Sequence, residues 1–141
     1  MQFVCDTLDG KTWFRIETEG EAAAESDAMS HAVEKHFRQA RDKAAESYKP
    51  VSQVFFEQNI GLAAHLQRVM PLFLTLRDGE GTALATAMLP PLGKSDPAFR
   101  PIIVGYGNQD PYPQHGTAIE ALGRHYGLSL ERVRCYPYAR P

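Results

Sequence analysis

The stretch Pro101-Ile-Ile-Val-Gly-Tyr-Gly-Asn-Gln-Asp-Pro-Tyr-Pro-Gln-His-Gly-Thr-Ala-Ile-Glu-Ala-Leu-Gly-Arg-His-Tyr-Gly127 decides how the chain is read, because a strand, a turn-forming loop and a helix meet within it. Ile102, Ile103 and Val104 are all β-branched and are bounded by Pro101 and Gly105, the pattern of a short buried strand. Thr117-Ala-Ile-Glu120 has the spacing of a capping box: the Thr117 hydroxyl would accept from the amide three residues on while Glu120 reaches back. Ala118, Ile119, Leu122 and Tyr126 follow at helical spacing, and Gly127 offers a left-handed stop. Between strand and helix stand glycines, prolines, Asn108 and Asp110, each of which fixes or frees the backbone for a turn.

The loop spanning 105–116 is also the best chemical candidate. It carries Tyr106, Asn108, Asp110, Tyr112 and His115 and leads into a helix N-terminus. In a binding or catalytic role His115 would be a base oriented by Asp110, or the loop would hold an anion at the helix start. Three features oppose this. Thr117 and Glu120 would occupy the amides an anion needs. No Ser or Cys nucleophile signature is nearby, and the glycine pattern and lysine of a phosphate loop are missing. The competing reading is a structured turn. A second irregular connection, 90–101, holds prolines at 90, 91, 97 and 101. Connections this long often serve function. A strand of about four residues keeps their roots roughly 13 Å apart, so they count as two regions.

Working outward, residues 2–18 read as a hairpin, with Asp9-Gly10 turning between apolar runs. Trp13, Arg15 and Glu17 share one face, and Phe14 and Ile16 the other. Thr18-Glu-Gly-Glu21 is a second capping box, opening what the spacing predicts as one long helix. Its apolar stripe runs Met29, Val33, Phe37, Ala40, Ala44 and Tyr48, with Glu34 and Arg38 pairing outside, up to Lys49-Pro50. Such a helix, about 38 Å long, would overhang the rest and meet a partner. Residues 51–70 read as a strand at Val54-Phe55-Phe56 followed by a short helix capped by Asn59; one helix over 51–70 fits nearly as well. Residues 72–78 and 82–89 form a hairpin across Asp78-Gly79-Glu80-Gly81, with Ala83, Ala85 and Ala87 making a face open to a close-packed helix. Arg132 to Tyr136 read as a last strand. The expected fold is α+β, one domain: a mixed or mostly antiparallel sheet carrying one long helix and one or two shorter ones.

Composition narrows the function classes. The 141 residues carry a formal net charge of −2, giving no global attraction to nucleic acid. The charge is uneven. Seven acids face Lys11 and Arg15 within residues 1–30, whereas Arg124, Arg132, Arg134 and Arg140 outnumber Glu120 and Glu131 near the other end. No signal peptide or membrane-length apolar run is visible, and Cys5 and Cys135 make no disulfide framework, which points to the cytoplasm. His31 and His36 are five apart, off the spacing that puts two metal ligands on one helical face, so neither metal nor cofactor is expected. Leu122 to Val133 superficially resembles a helix-turn-helix, but Pro137 leaves too short a second helix. With no catalytic set legible, the expected function is a protein-interaction or accessory module, self-associating as a homodimer. The alternative is a small-molecule binder or enzyme using 105–116.

Overall fold

A computed structural model describes residues 1–51 and 53–138. Five antiparallel strands lie in sequence order, β1 (Gln2–Asp6), β2 (Thr12–Arg15), β3 (Leu72–Arg77), β4 (Ala83–Leu89) and β5 (Ile102–Val104). Helices α1 (Glu19–Met29), α2 (Val33–Glu46) and α3 (Phe55–Val69) are inserted between β2 and β3, and α4 (Tyr112–Tyr126) follows β5. The fold is α+β, with the sheet sandwiched between two helical layers.

Strand alternation assigns each layer its core. Leu72, Leu74 and Leu76 point one way with Trp13, Ala85, Ala87 and Ile103, and meet Ala118, Ile119 and Leu122 of α4. The alanine face of β4 thus receives the close-packed helix its small side chains permit. Trp13 is fully buried, and its indole Nε1–H donates to the Ala118 carbonyl at 2.8 Å. On the opposite face Phe73 and Ile16 pack with Ala22, Val33 and Phe37 from α1 and α2. Phe37 and Phe73 meet edge to face with centroids 5.2 Å apart.

The capping box at Thr18 forms as expected: Glu21 N–H donates to Thr18 Oγ1 at 3.1 Å, and Thr18 N–H donates to Glu21 Oε1 at 3.2 Å. The expected single long helix, however, is two. Ser30 adopts a left-handed conformation (φ 54°, ψ 51°) and ends α1; Ala32 gives α2 no side-chain cap. Ser26, inside α1, supplies it: its hydroxyl oxygen accepts from Glu34 N–H at 2.8 Å. The apolar stripe ran unbroken through this junction because both helices bury it in one core, so spacing alone concealed the break. Glu34 and Arg38 approach to 3.7 Å, as their i,i+4 spacing suggested.

Residues 55–69 form one helix, not a strand and a helix. Phe55 and Phe56 are 77% and 70% exposed, so no sheet neighbour draws them into a strand, and α3 docks against α2 instead. His65 Nε2 lies 2.8 Å from Ser47 Oγ and 3.1 Å from the Ala44 carbonyl at the end of α2. Gly61 lets Tyr48 close in: a Cβ there would sit 2.1 Å from the Tyr48 hydroxyl. Residues 132–134 are a 3-10 turn, not a strand. Local bonds, Arg134 N–H to Glu131 O and Cys135 N–H to Arg132 O, take the backbone groups a ladder would use. Tyr136 pairs with the sheet edge as an isolated parallel bridge to Ile102. Both cysteines are free. Among the described residues, no ion pair joins the acids of residues 1–30 to the arginines beyond 117, and no helix is long and apolar enough to cross a membrane.

Candidate functional site

The helix after the 105–116 loop starts five residues earlier than Thr117. Asp110 Oδ1 accepts from Tyr112 N–H at 3.0 Å, and Pro113 stands in the first turn, where its missing N–H and fixed φ cost nothing. His115 departs from helical geometry (φ −126°, ψ 17°) before the helix resumes. Thr117 therefore lies inside α4, and Glu120 accepts from Arg124 at 2.7 Å instead of closing a capping box. Two prolines that read as loop punctuation are the helix entry.

The five loop candidates go to different places. Asp110 Oδ2 accepts from Arg132 Nε at 2.8 Å, and the Tyr112 hydroxyl donates to the Leu130 carbonyl at 2.8 Å. His115 Nδ1 lies 3.0 Å from Lys11 Nζ, which also pairs with Asp9 at 2.8 Å. Burial and the neighbouring Lys11 ammonium hold His115 below its ordinary pKa, with Asp9 opposing. Tyr106 is exposed. Asn108, in a left-handed conformation (φ 62°), lines a cleft on the other face of the sheet. Asp110 and His115 are thus engaged with separate cations.

That cleft, of about 320 Å³, opens where the α1–α2 junction passes over β4 and β5. Phe73, Ala87, Met88, Ile102 and Val104 make apolar walls, while His31, His36, Thr86 and Asn108 bring polar atoms. The volume lies at the small end of the ~300–1,000 Å³ range of small-molecule sites. The break after Ser30 places His31 here, and residues held at positive φ without being glycine often mark functional sites. Asn108 is such a residue in the cleft lining, and Ser30 directly precedes the lining residue His31.

Behind His31 runs a chain of hydrogen bonds to a fully buried carboxylate. Glu25 projects from α1 onto the sheet and has no exposed surface. Its Oε1 accepts from Thr75 Oγ1 at 2.9 Å and from Arg77 NH2 at 3.0 Å, and its Oε2 accepts from Thr86 Oγ1 at 2.5 Å. Arg77 Nε in turn donates to Thr75 Oγ1 at 3.0 Å. Thr75 and Thr86 are directly opposed in the β3–β4 register, so a single carboxylate reaches both. His31 Nε2 lies 2.9 Å from Thr86 Oγ1. Thr86 has one hydroxyl hydrogen and gives it to Glu25, so Nε2 must be the donor. The remaining nitrogen, Nδ1, then holds the lone pair. Burial pulls the His31 pKa down, partly offset by the Glu25 carboxylate and the ring's own backbone, while His36 pushes the same way as burial.

In this order the hydroxyl stands between acid and imidazole. It is therefore a bridge, and His31 is the group able to accept a proton, in contrast to a triad in which histidine sits between acid and nucleophile. The signal in the sequence was faint but present. Glu25 interrupts the small and apolar face formed by Ala22 and Met29, and Thr75 and Thr86 are the hydroxyl residues midway along two strands that are otherwise apolar save for Arg77 at the end of β3. Among the described residues, no group of three or more His, Cys, Asp or Glu could hold a metal ion. No known family model, curated protein or solved structure matches the chain.

Proposed function

We propose that the protein is a small-molecule-binding domain whose site is the cleft between the α1–α2 junction and strands β4 and β5. The observation that carries this reading is the wiring of His31, a cleft residue, through Thr86 to the fully buried Glu25. Burying a carboxylate is costly unless it is paired and hydrogen-bonded, and here its partners fix one tautomer of a half-buried ring that lines the cleft. Asn108 connects the cleft with the 105–116 loop. The two free thiols agree with a reducing, cytoplasmic setting, which belongs to the proposal. The test is a thermal-shift screen on the unmodified protein and on Met88→Trp, which fills the cleft. A ligand of this site should stabilise only the unmodified protein; equal stabilisation of both would move the site elsewhere.

A second reading, contact with a protein partner or a second copy of the chain, is favoured by α3. Its leading end exposes Phe55, Phe56 and Ile60, next to Val51. Adjacent exposed apolar groups of this size mark interaction surfaces. A dimer in light scattering at tens of micromolar that Phe56→Asp dissociates would support it, whereas a monomeric unmodified protein would exclude self-association there.

A further inference from the structure

The tautomer imposed on His31 restricts what the cleft can hold. Nε2–H is committed to Thr86, so the lone pair is left at Nδ1, beside the residue's own backbone carbonyl, and it is protonation there that charges the ring lining the cleft. A ligand carrying an acidic proton satisfies that lone pair and leaves an imidazolium. The new positive charge then needs a counter-charge. Glu25 is already matched by Arg77 at 3.0 Å, and among the described residues that line the cleft none is an acid. His36 and Asn108, on the same cleft, can donate to an oxyanion. A cationic ligand would meet two imidazoles and no acid. The walls contributed by Phe73, Met88, Ile102 and Val104 require an apolar body, and about 320 Å³ requires a compact one.

We propose that the cleft binds a compact, mostly apolar carboxylic acid, held as carboxylate against the imidazolium of His31. This rests on the cleft being the binding site. The proton balance is simple: the O–H bond of the acid breaks and an Nδ1–H bond forms, or the carboxylate arrives ionised and His31 takes its proton from solvent. The charged and titratable groups around His31 are Glu25 from α1, His36 from α2 and Tyr136 from the C-terminal segment, with Arg77 behind Glu25 on β3. The depressed pKa of free His31 leaves it neutral at pH 7.5, so binding an ionised acid takes up close to one proton. Apparent affinity then weakens as pH rises from the free-state pKa of His31 toward its raised bound-state pKa, by up to about tenfold per pH unit, and levels off above it.

The test uses benzoate and its uncharged counterpart benzamide. Calorimetry at pH 7.5 in two buffers of different ionisation enthalpy counts protons, and the Met88 methyl resonance reports whether the cleft is occupied. Benzoate is expected to shift Met88, to bind more tightly than benzamide and to take up a proton. His31→Gln, which keeps a donor toward Thr86 but cannot titrate, should abolish the uptake and the preference for the acid. The proton count needs only the unmodified protein, so the proposal stays exposed even if that variant fails to fold. Equal binding of benzoate and benzamide without proton uptake would overturn the acid class and leave the small-molecule cleft standing. If neither compound shifts Met88 while both leave the protein's stability unchanged, the acid class and the cleft reading fall together.

Discussion

The two faces of the sheet are built from the same strands and do different work. Toward α4 every central side chain is apolar: Leu72, Leu74 and Leu76 against Ala85, Ala87 and Leu122. Toward α1 and α2 the same two strands present Thr75 and Thr86 beneath Glu25, and the packing stops short of closing over β5. A dry face gains stability from every methylene it buries. A face with a buried carboxylate surrenders some of that gain for a fixed arrangement of donors and acceptors. The difference puts the dry core on one side of the sheet and a buried polar network beside a cleft on the other.

The sharpest way to break this division is Glu25→Ala. It strands Arg77 and two threonine hydroxyls, and should cost about 3–5 kcal/mol in urea denaturation. Retention of full stability would mean that the carboxylate is not the hub of that face. Trp13→Phe probes the dry side. It removes the indole donor to the Ala118 carbonyl, which keeps its place in the α4 ladder, and part of a fully buried side chain, for a loss of about 1–3 kcal/mol, and should not alter binding in the cleft. A change in ligand affinity in that variant would show that the faces are coupled. Ser26→Ala removes the cap from α2 and should lower stability by about 1 kcal/mol. An unchanged midpoint would show that another group satisfies Glu34 N–H.

Acid titration compares the faces through their histidines. His31 on the cleft side and His115 on the other are both held below the ordinary value of 6.5. The unfolded chain therefore binds protons first: the contribution of these two residues to stability is flat above about pH 6.5 and falls as pH drops from there toward the folded-state values. His31→Gln should flatten part of that slope, and a denaturation midpoint with the same pH dependence in both proteins would contradict it. The smallest effect belongs to Thr117→Ala. Thr117 is exposed and inside α4, so the change should stay within about 0.5 kcal/mol. A loss near 1 kcal/mol would restore the later helix start.

What could be read from the residues follows from which forces act locally. The hairpin at 72–89, the strand at 102–104, the box at Thr18 and the Gly127 stop were legible because turn chemistry and alternation act over a few neighbours. The break after Ser30 was not, since its cap comes from Ser26 eight residues before Glu34 and its stripe never lapses. Phe55 and Phe56 suggested a strand by propensity, and tertiary docking of α3 on α2 overrode it. The 105–116 loop contributed Asn108 to the cleft, but the residues that wire His31 come from α1 and β4, 61 positions apart at Glu25 and Thr86. Only the fold brings such a set together.

The position of Trp13 also governs how the molecule can be watched. It is the single tryptophan of the chain, wholly buried on the α4 side. Its emission is a clean optical readout of that layer coming apart, yet it is insulated by the sheet from whatever enters the cleft. A titration followed by tryptophan fluorescence would read as silence even at saturation. Detecting occupancy calls for a reporter on the opposite side, and Tyr136, at the cleft wall, is the chromophore the chain already places there.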